Sequence, residues 1–410
     1  MTLATVTKQS PGSFIYKTCS SSAQVIARKG GCMHYRTLGR TGLQVSEVSL
    51  GTEYLIGKPH DHIVEVIHAA LDAGINYFDL FCAEPGFRDA MSVAFAGRRE
   101  HVYLAAHLGA AIKEDGQYLK TRSLKICEKF FEDFLTRFAT DYVDVLVLHN
   151  CDRQNDFDKL FRENGPLGLA LRLKEQGKTC FLGFSGHTVE TALQAVESGH
   201  IDVLMFPVNM AGNAVPGKKE LLKTCQARGV GIVAMKPLGG GKLLQGPRTV
   251  RVSHYQMGGE AQKIKKNIPI TPVQCLHYTL SQVGVCAAIP GCASVEELRG
   301  GPQACGVLAY EQATEAEKDF SEVIADFEQY VPGECVYCNH CLPCPAQIDI
   351  GQTLRLFDMA QQDFTPTIRA TYDAMPTHAS DCTTCGACEK RCPFGVPTVA
   401  RIAEAAAFFN

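Results

Sequence analysis

The sequence predicts an α/β chain, a (β/α)8 TIM barrel followed by a small cysteine-rich domain, and three observations predict it. Eight short apolar runs alternate with amphipathic segments between Glu47 and Gly301. The runs are apolar throughout rather than alternating, as in parallel strands covered on both faces. Eight of the 19 cysteines then gather in two tight groups after residue 330.

In chain order, residues 1–32 contain QSPGS and SSS without sustained periodicity and read as a flexible extension; Met33 offers a second start directly before HYRTLGRTG. The expected strands are Glu47 to Leu50, Tyr77 to Asp79, Val102 to Ala106, Val143 to Leu148, Phe181 to Phe184, Val203 to Phe206, Gly231 to Met235 and Val285 to Ile289. Asp61 is expected to cap a helix bearing Ile63, Ile67, Ala70 and Leu71, with Gly74 as its stop. Leu124, Cys127, Phe131, Leu135 and Phe138 mark a longer helix, and Thr188 opens one carrying Val189, Ala192, Leu193 and Val196. Eight strand–helix repeats in about 250 residues match a TIM barrel. A doubly wound sheet is the competing fold, and no GxGxxG follows the first strand to support it. Thr314 and Glu317 form a capping box for a helix with Phe320, Val323, Ile324 and Phe327, which Val331-Pro332-Gly333 breaks. The expected domains are therefore 1–32, 33–330 and 331–410.

Composition narrows the function classes. The chain has 410 residues, 46% of them hydrophobic, and a formal net charge of −3, so it can fill a sizeable core but offers no broad cationic surface for nucleic acid. No stretch approaches the roughly 20 apolar residues of a membrane span, and no apolar leader precedes a cleavage site. An odd cysteine count, with many cysteines on apolar segments, argues against a disulfide scaffold and for a reducing, cytoplasmic setting. The expected partners are a small-molecule substrate and an external electron carrier, with no nucleic acid and no membrane span.

Cys335, Cys338, Cys341 and Cys344 are each separated by two residues and followed by Pro345. Cys382, Cys385, Cys388 and Cys392 have gaps of two, two and three residues and are followed by Pro393. The second spacing resembles that of bacterial ferredoxins, whose fourth cysteine reaches the neighbouring cluster. Carried over, that exchange groups Cys335, Cys338, Cys341 and Cys392 on one [4Fe-4S] cluster, and Cys382, Cys385, Cys388 and Cys344 on a second. A structural zinc would more usually bring paired ligands across a long spacer. In the linker, Leu354, Leu356, Phe357 and Met359 predict a short helix docking this ferredoxin-like domain onto the barrel.

The text YRTLGRTGLQVSEVSLGTEY from Tyr35 resembles the opening of aldo/keto reductases, and AGINYFD, DYVDVLVLH, GFSGH, AMKPLGGGKL and IPGCASVEEL continue the likeness over roughly residues 34–330. The tail resembles that of the family's iron-sulfur subgroup. The resemblance implies a catalytic tetrad at the barrel mouth, in which a tyrosine gives a proton to a carbonyl as hydride arrives from a nicotinamide. Its aspartate and histidine correspond to Asp79 and His149. Glu84 stands at the tyrosine's place and His107 at the lysine's. A glutamate with an ordinary pKa is a base rather than an acid at neutral pH, whereas a histidine can serve as either. Cys82 shares the turn with Glu84, and Tyr77 is expected to pack beneath Asp79.

For the cofactor, the resemblance places Ser185 and His187 near a nicotinamide ring and makes Asn209 its amide contact. Lys236, Gly239 and Gly240 lie in a flexible KPLGGGKL turn able to approach a pyrophosphate. After Ile289-Pro290 the chain offers Gly291, Ser294, Glu296 and Glu297 rather than basic groups, little countercharge for a 2′-phosphate, so NADP, NAD, a flavin or no organic cofactor stay open. Three readings follow: hydride chemistry with Glu84 or His107 as the acid; a non-nicotinamide proton-transfer, lyase-type or redox step using Asp79, His107 and His149; or a silent barrel in an electron-carrier or assembly protein. Clusters would pass electrons between an external carrier and the barrel, or between protomers of a homo-oligomer.

Overall fold

The computed structural model describes residues 33–244, 248–254, 262–300, 306–324, 327, 333, 335, 337, 339–362 and 364–409; the expected extension 1–32 and the candidate ligand Cys338 lie outside the described residues. An antiparallel hairpin comes first, β1 (Tyr35–Thr37) and β2 (Gln44–Ser46). The barrel strands are β3 (Leu50–Gly51), β4 (Tyr77–Leu80), β5 (Tyr103–Leu108), β8 (Val143–Leu148), β9 (Thr179–Ser185), β10 (Val203–Pro207), β11 (Gly231–Met235) and β14 (Val285–Ile289). They pair in parallel in the order β14-β11-β10-β9-β8-β5-β4-β3, and bridges Val48–Ala288 and Gly51–Gly291 join the two ends into a closed barrel. Two hairpins interrupt the repeat: β6 (Ala110–Ile112) with β7 (Tyr118–Lys120), and β12 (Arg248–His254) with β13 (Gln262–Ile268).

The first strand begins later than expected. Glu47 to Ser49 make contact with the eighth strand through Ser49 N–H to Ala288 O and Ala288 N–H to Glu47 O, while the strand proper is Leu50–Gly51. Helices α1 (His60–Asp72), α2 (Pro85–Phe95), α3 (Leu124–Arg137), α4 (Gln154–Phe161), α5 (Pro166–Glu175), α6 (Val189–Glu197), α7 (Lys218–Ala227) and α8 (Pro272–Leu280) wrap the strands. Asp61 is not the cap of α1. Pro59 holds that position, and Asp61 lies in the first turn, where its charge faces the helix's positive end. The Thr314–Glu317 capping box is present, but its helix stops at Lys318, because Asp319 turns extended and accepts the N–H of Ser321 to start a new turn.

The inside of the barrel is an apolar column. Tyr77, Tyr103, Val145, Val147, Val203, Met205, Val233 and Met235 form one buried cluster with Leu38, Leu43 and Val45 from the β1–β2 hairpin, which plugs the N-terminal end. Glycine is required at the hairpin's turn: Gly39 has φ 51°, and a Cβ there would lie 2.3 Å from the backbone N of Gly231.

Beyond the barrel, helices Ile350–Gln362 and Thr398–Phe409 build a separate core from Ile348, Leu354, Leu356, Phe357, Tyr372, Ile402 and Phe409. The helix expected around Leu354 to Met359 therefore buries its apolar face in this tail and not on the barrel; Arg355 reaches the barrel by lying over the Tyr54 ring at 5.5 Å. No described helix is long and apolar enough to cross a membrane.

Candidate active site and thiol cages

In parallel strands of a barrel, residues of matching register point together at the C-terminal mouth. Asp79, His107 and His149, from the ends of β4 and β5 and the residue after β8, meet there and are buried. Asp79 Oδ1 lies 2.8 Å from His107 Nε2, and His107 Nδ1 lies 2.6 Å from His149 Nδ1. The line continues to a residue sequence reasoning missed: the Tyr118 hydroxyl is 2.5 Å from His149 Nε2. Tyr118 comes from the β6–β7 hairpin, whose polar EDGQYLK text carries no family motif. Phe81 stacks on His149 with planes 4° apart and centroids at 6.1 Å, walling off one side.

Burial pushes the His149 imidazole well below its usual range, with His107 and Arg122 adding to it. Burial likewise raises the Tyr118 phenol, against the pull of Arg122. Both are therefore neutral at pH 7. A contact between two Nδ1 atoms holds a single proton when both rings are neutral. In the tautomer in which His107 Nε2–H donates to Asp79, His149 Nδ1–H donates to His107 and the Tyr118 hydroxyl donates to His149 Nε2.

Glu84 is not part of this line. Its Oε1 accepts the N–H of Gly86 at 2.8 Å and its Oε2 that of Phe87 at 2.5 Å, so it caps α2, with Pro85 as the first helical residue. The Glu-Pro pair is a sequence signature of that role. Burial raises the Cys82 thiol to about 11, leaving it an inert core group at neutral pH. Glu53, also missed, has its carboxyl raised by burial against the pull of Lys236, with Asp79 pushing the same way as burial.

The expected cofactor residues are engaged with one another. Ser185 Oγ accepts the N–H of Asn150 at 2.8 Å. His187 Nδ1 faces both Asp152 carboxylate oxygens at 3.2 Å, and its Nε2 lies 3.1 Å from Lys236 Nζ. The Asn209 amide donates to Lys236 O and accepts from Gly212 N–H, both at 2.9 Å. Gly239 and Gly240 turn with φ of 59° and 69°. Gly291 lies against Tyr54, whose ring a Cβ would meet at 2.4 Å. The tail covers what remains: the His340 and Phe394 rings sit 4.2 and 5.4 Å from the His187 ring. His187 is thus covered by the tail, and the Asn209 amide is engaged with backbone. At the far end, Ser294 caps the following helix and Glu297 accepts the Ala293 N–H, with no basic group between Gly291 and Glu297.

In the tail the cysteines surround two cavities. Cys344, Cys382, Cys385 and Cys388 line one together with Pro345, Ile348 and Val399, and Cys341 borders it as well. Cys335, Cys341 and Cys392 line the other, with His340, Leu354 and Phe394. Backbone N–H groups of Tyr337 and Thr384 point at Cys335 and Cys382 sulfurs from 3.4 Å, made possible by positive φ at both donors. Soft thiolates, backbone donors and apolar walls are the donor chemistry that suits iron-sulfur clusters.

A closed parallel barrel with a buried acid–imidazole line at its mouth and a thiol-lined tail defines an oxidoreductase of the barrel type. Residues 47–318 match the aldo/keto reductase family, and residues 334–397 match a 4Fe-4S dicluster domain. The chain belongs to the aldo/keto reductase family and carries an iron-sulfur domain. It is 28% identical over 229 residues to L-glyceraldehyde 3-phosphate reductase of Escherichia coli O157:H7, a match spanning 52% of this chain and 64% of that protein. It is 25% identical over 290 residues to the uncharacterized oxidoreductase YqkF of Bacillus subtilis (strain 168), covering 66% of this chain and 91% of the relative. Aldo-keto reductase AKR11C1 from Bacillus halodurans, in its holo form, shares the fold with a TM-score of 0.56 at 20% identity, over 73% of this chain and 98% of that one.

Proposed function

We propose that this chain is an iron-sulfur oxidoreductase that exchanges electrons between an external carrier and a small polar or carbonyl substrate at the barrel mouth, through two [4Fe-4S] clusters. The observation that carries the reading is the His340 ring. It precedes Cys341 in sequence and lies 4.2 Å from His187, so the thiol cage and the mouth share a wall. The ligands would be Cys335, Cys338, Cys341 and Cys392 for the cage over the mouth, and Cys344, Cys382, Cys385 and Cys388 for the outer one. When bound, such clusters supply single electrons.

The remaining work falls to side chains. On the oxygen side of the substrate, the group able to exchange a proton is the line ending at Tyr118. Phe81, His340 and Phe394 exclude water, which strengthens every polar contact within the mouth. Lys236, beside His187 and Glu53, supplies the positive charge that attracts a polar substrate. In this reading the family's tetrad has departed: Asp79 and the histidine persist, His107 replaces the lysine, and the tyrosine's usual place is a helix cap. The name of the Escherichia coli relative makes a short hydroxyaldehyde the first probe.

The test compares reductants. Anaerobic protein should hold about eight irons and eight sulfides, and dithionite-reduced methyl viologen should bleach the clusters and drive glyceraldehyde reduction where NADPH and NADH do neither. Turnover with a nicotinamide alone, clusters unbleached, would overturn the reading.

A further inference from the structure

Four polar groups, Asp79, His107, His149 and Tyr118, form one unbroken line of hydrogen bonds of 2.8, 2.6 and 2.5 Å. The two ends differ. Asp79, His107 and His149 are buried, whereas Tyr118 is half-buried as a residue and is the less enclosed end of the line. We propose that Tyr118 is the catalytic residue that exchanges a proton with the substrate oxygen, and that the proton is stored on Asp79 by relay through His149 and His107. The proposal deepens the function read above and rests on its placing the substrate at the barrel mouth.

The hairpin that carries Tyr118 is clamped rather than loose. Arg122, just beyond β7, donates through Nη1 to His149 O at 2.8 Å and through Nη2 to Asn150 O at 2.7 Å. Its other face pairs with Asp156, which also takes Lys120 at 3.0 Å. The same cations that fix the hairpin therefore fix the His149–Asn150 turn against it, and the distance between Tyr118 and His149 is set from both sides. Asn150 itself is held at φ 42° with its N–H on Ser185 Oγ, which fixes the turn that carries it beside Tyr118.

The transfers balance as a proton relay with no change of oxidation state. With an alcohol bound, the substrate O–H bond breaks and a new O–H bond forms on Tyr118, whose own proton passes to His149 Nε2. The His149 Nδ1 proton passes to His107 Nδ1, and the His107 Nε2 proton to Asp79. For a carbonyl being reduced, the same four transfers run backward from the Asp79–H form, which water reloads after product leaves. Each imidazole gains one proton as it loses another, so neither becomes an imidazolium and the phenol need not rest as a phenolate. Burial that disfavours charge on His149 and Tyr118 is therefore compatible with the relay, and a single-site general base at either position would be penalised by it.

Two measurements on the cluster-replete protein test this. The first is neutron diffraction of deuterium-exchanged crystals. Deuterons are expected to run in one direction along the line, either on Tyr118 Oη, His149 Nδ1 and His107 Nε2 or, in the Asp79–H form, on His149 Nε2, His107 Nδ1 and Asp79; a deuteron on both nitrogens of His149 or of His107, an imidazolium, would overturn the relay. The second is Tyr118→Phe, assayed with glyceraldehyde and dithionite-reduced methyl viologen. Turnover should fall about 10²- to 10⁴-fold, the usual contribution of general acid–base catalysis, with KM within about twofold and the cluster absorbance unchanged. A variant that keeps the wild-type rate would also overturn it. Failure of the wild type to turn over glyceraldehyde would count against the function reading alone, and the deuteron positions would then decide the relay.

Discussion

The two ends of the barrel are closed by different means. At the N-terminal end a hairpin inserts Leu38, Leu43 and Val45 into an apolar column. At the C-terminal end the cover is the tail, and it meets the barrel through His340, Phe394 and Arg355 over His187 and Tyr54. An apolar plug contributes to stability and little else. A polar cover carrying thiol cages couples closure to chemistry, so substitutions at the two ends should separate folding from function.

The largest effect is expected at the mouth. Cys392→Ala removes a thiol from the cage that also holds Cys335 and Cys341. Iron should drop from about eight to about four atoms per chain and viologen-driven turnover should vanish; an unchanged iron and sulfide assay would break the contrast between the ends. At the plug, Leu38→Ala opens a cavity at a fully buried position. A loss of about 2–5 kcal/mol is expected in anaerobic denaturant unfolding, with iron content and turnover per folded molecule unchanged.

The smallest effect is one of pH, and it too belongs to the mouth. Burial lowers the His149 and His187 imidazoles in the folded chain, most strongly for His149. Below the reference value of about 6.5 the unfolded chain takes up protons that the folded one refuses. Stability from this source is complete above about pH 6.5 and is lost as pH falls, by up to about 1.4 kcal/mol per unit for each histidine. Unfolding curves between pH 7 and 5 should show the slope, and His149→Gln should flatten it. An equal slope in that variant would place the acid sensitivity elsewhere.

Much of this was legible in the sequence, for identifiable reasons. Barrel strands buried on both faces write themselves as short apolar runs, so β4, β5, β8 and the others stand out; the plug hairpin YRTLGRTGLQVS has too few apolar residues to announce its role. Asp79, His107 and His149 could be found because the resemblance to aldo/keto reductases places the tetrad at strand ends, which converge in this architecture. Tyr118 could not, since a hairpin inserted between β5 and α3 follows no barrel period. The Glu84-Pro85 pair did carry a signal, an acid just before a helix-starting proline, and it sits where the family's tyrosine would stand. His340 was hidden for another reason: between Cys338 and Cys341 it looks like spacer, and only the fold brings it to His187.

The order of the parts along the chain has a consequence for biosynthesis. Every group that lines the mouth from below, the last being Lys236, leaves the ribosome before His340 and Phe394, which cover it. His340 stands directly before Cys341 and Phe394 two residues after Cys392, so the rings that cover His187 are tethered to the thiol cages, and cover and cage are synthesised together after the barrel strands.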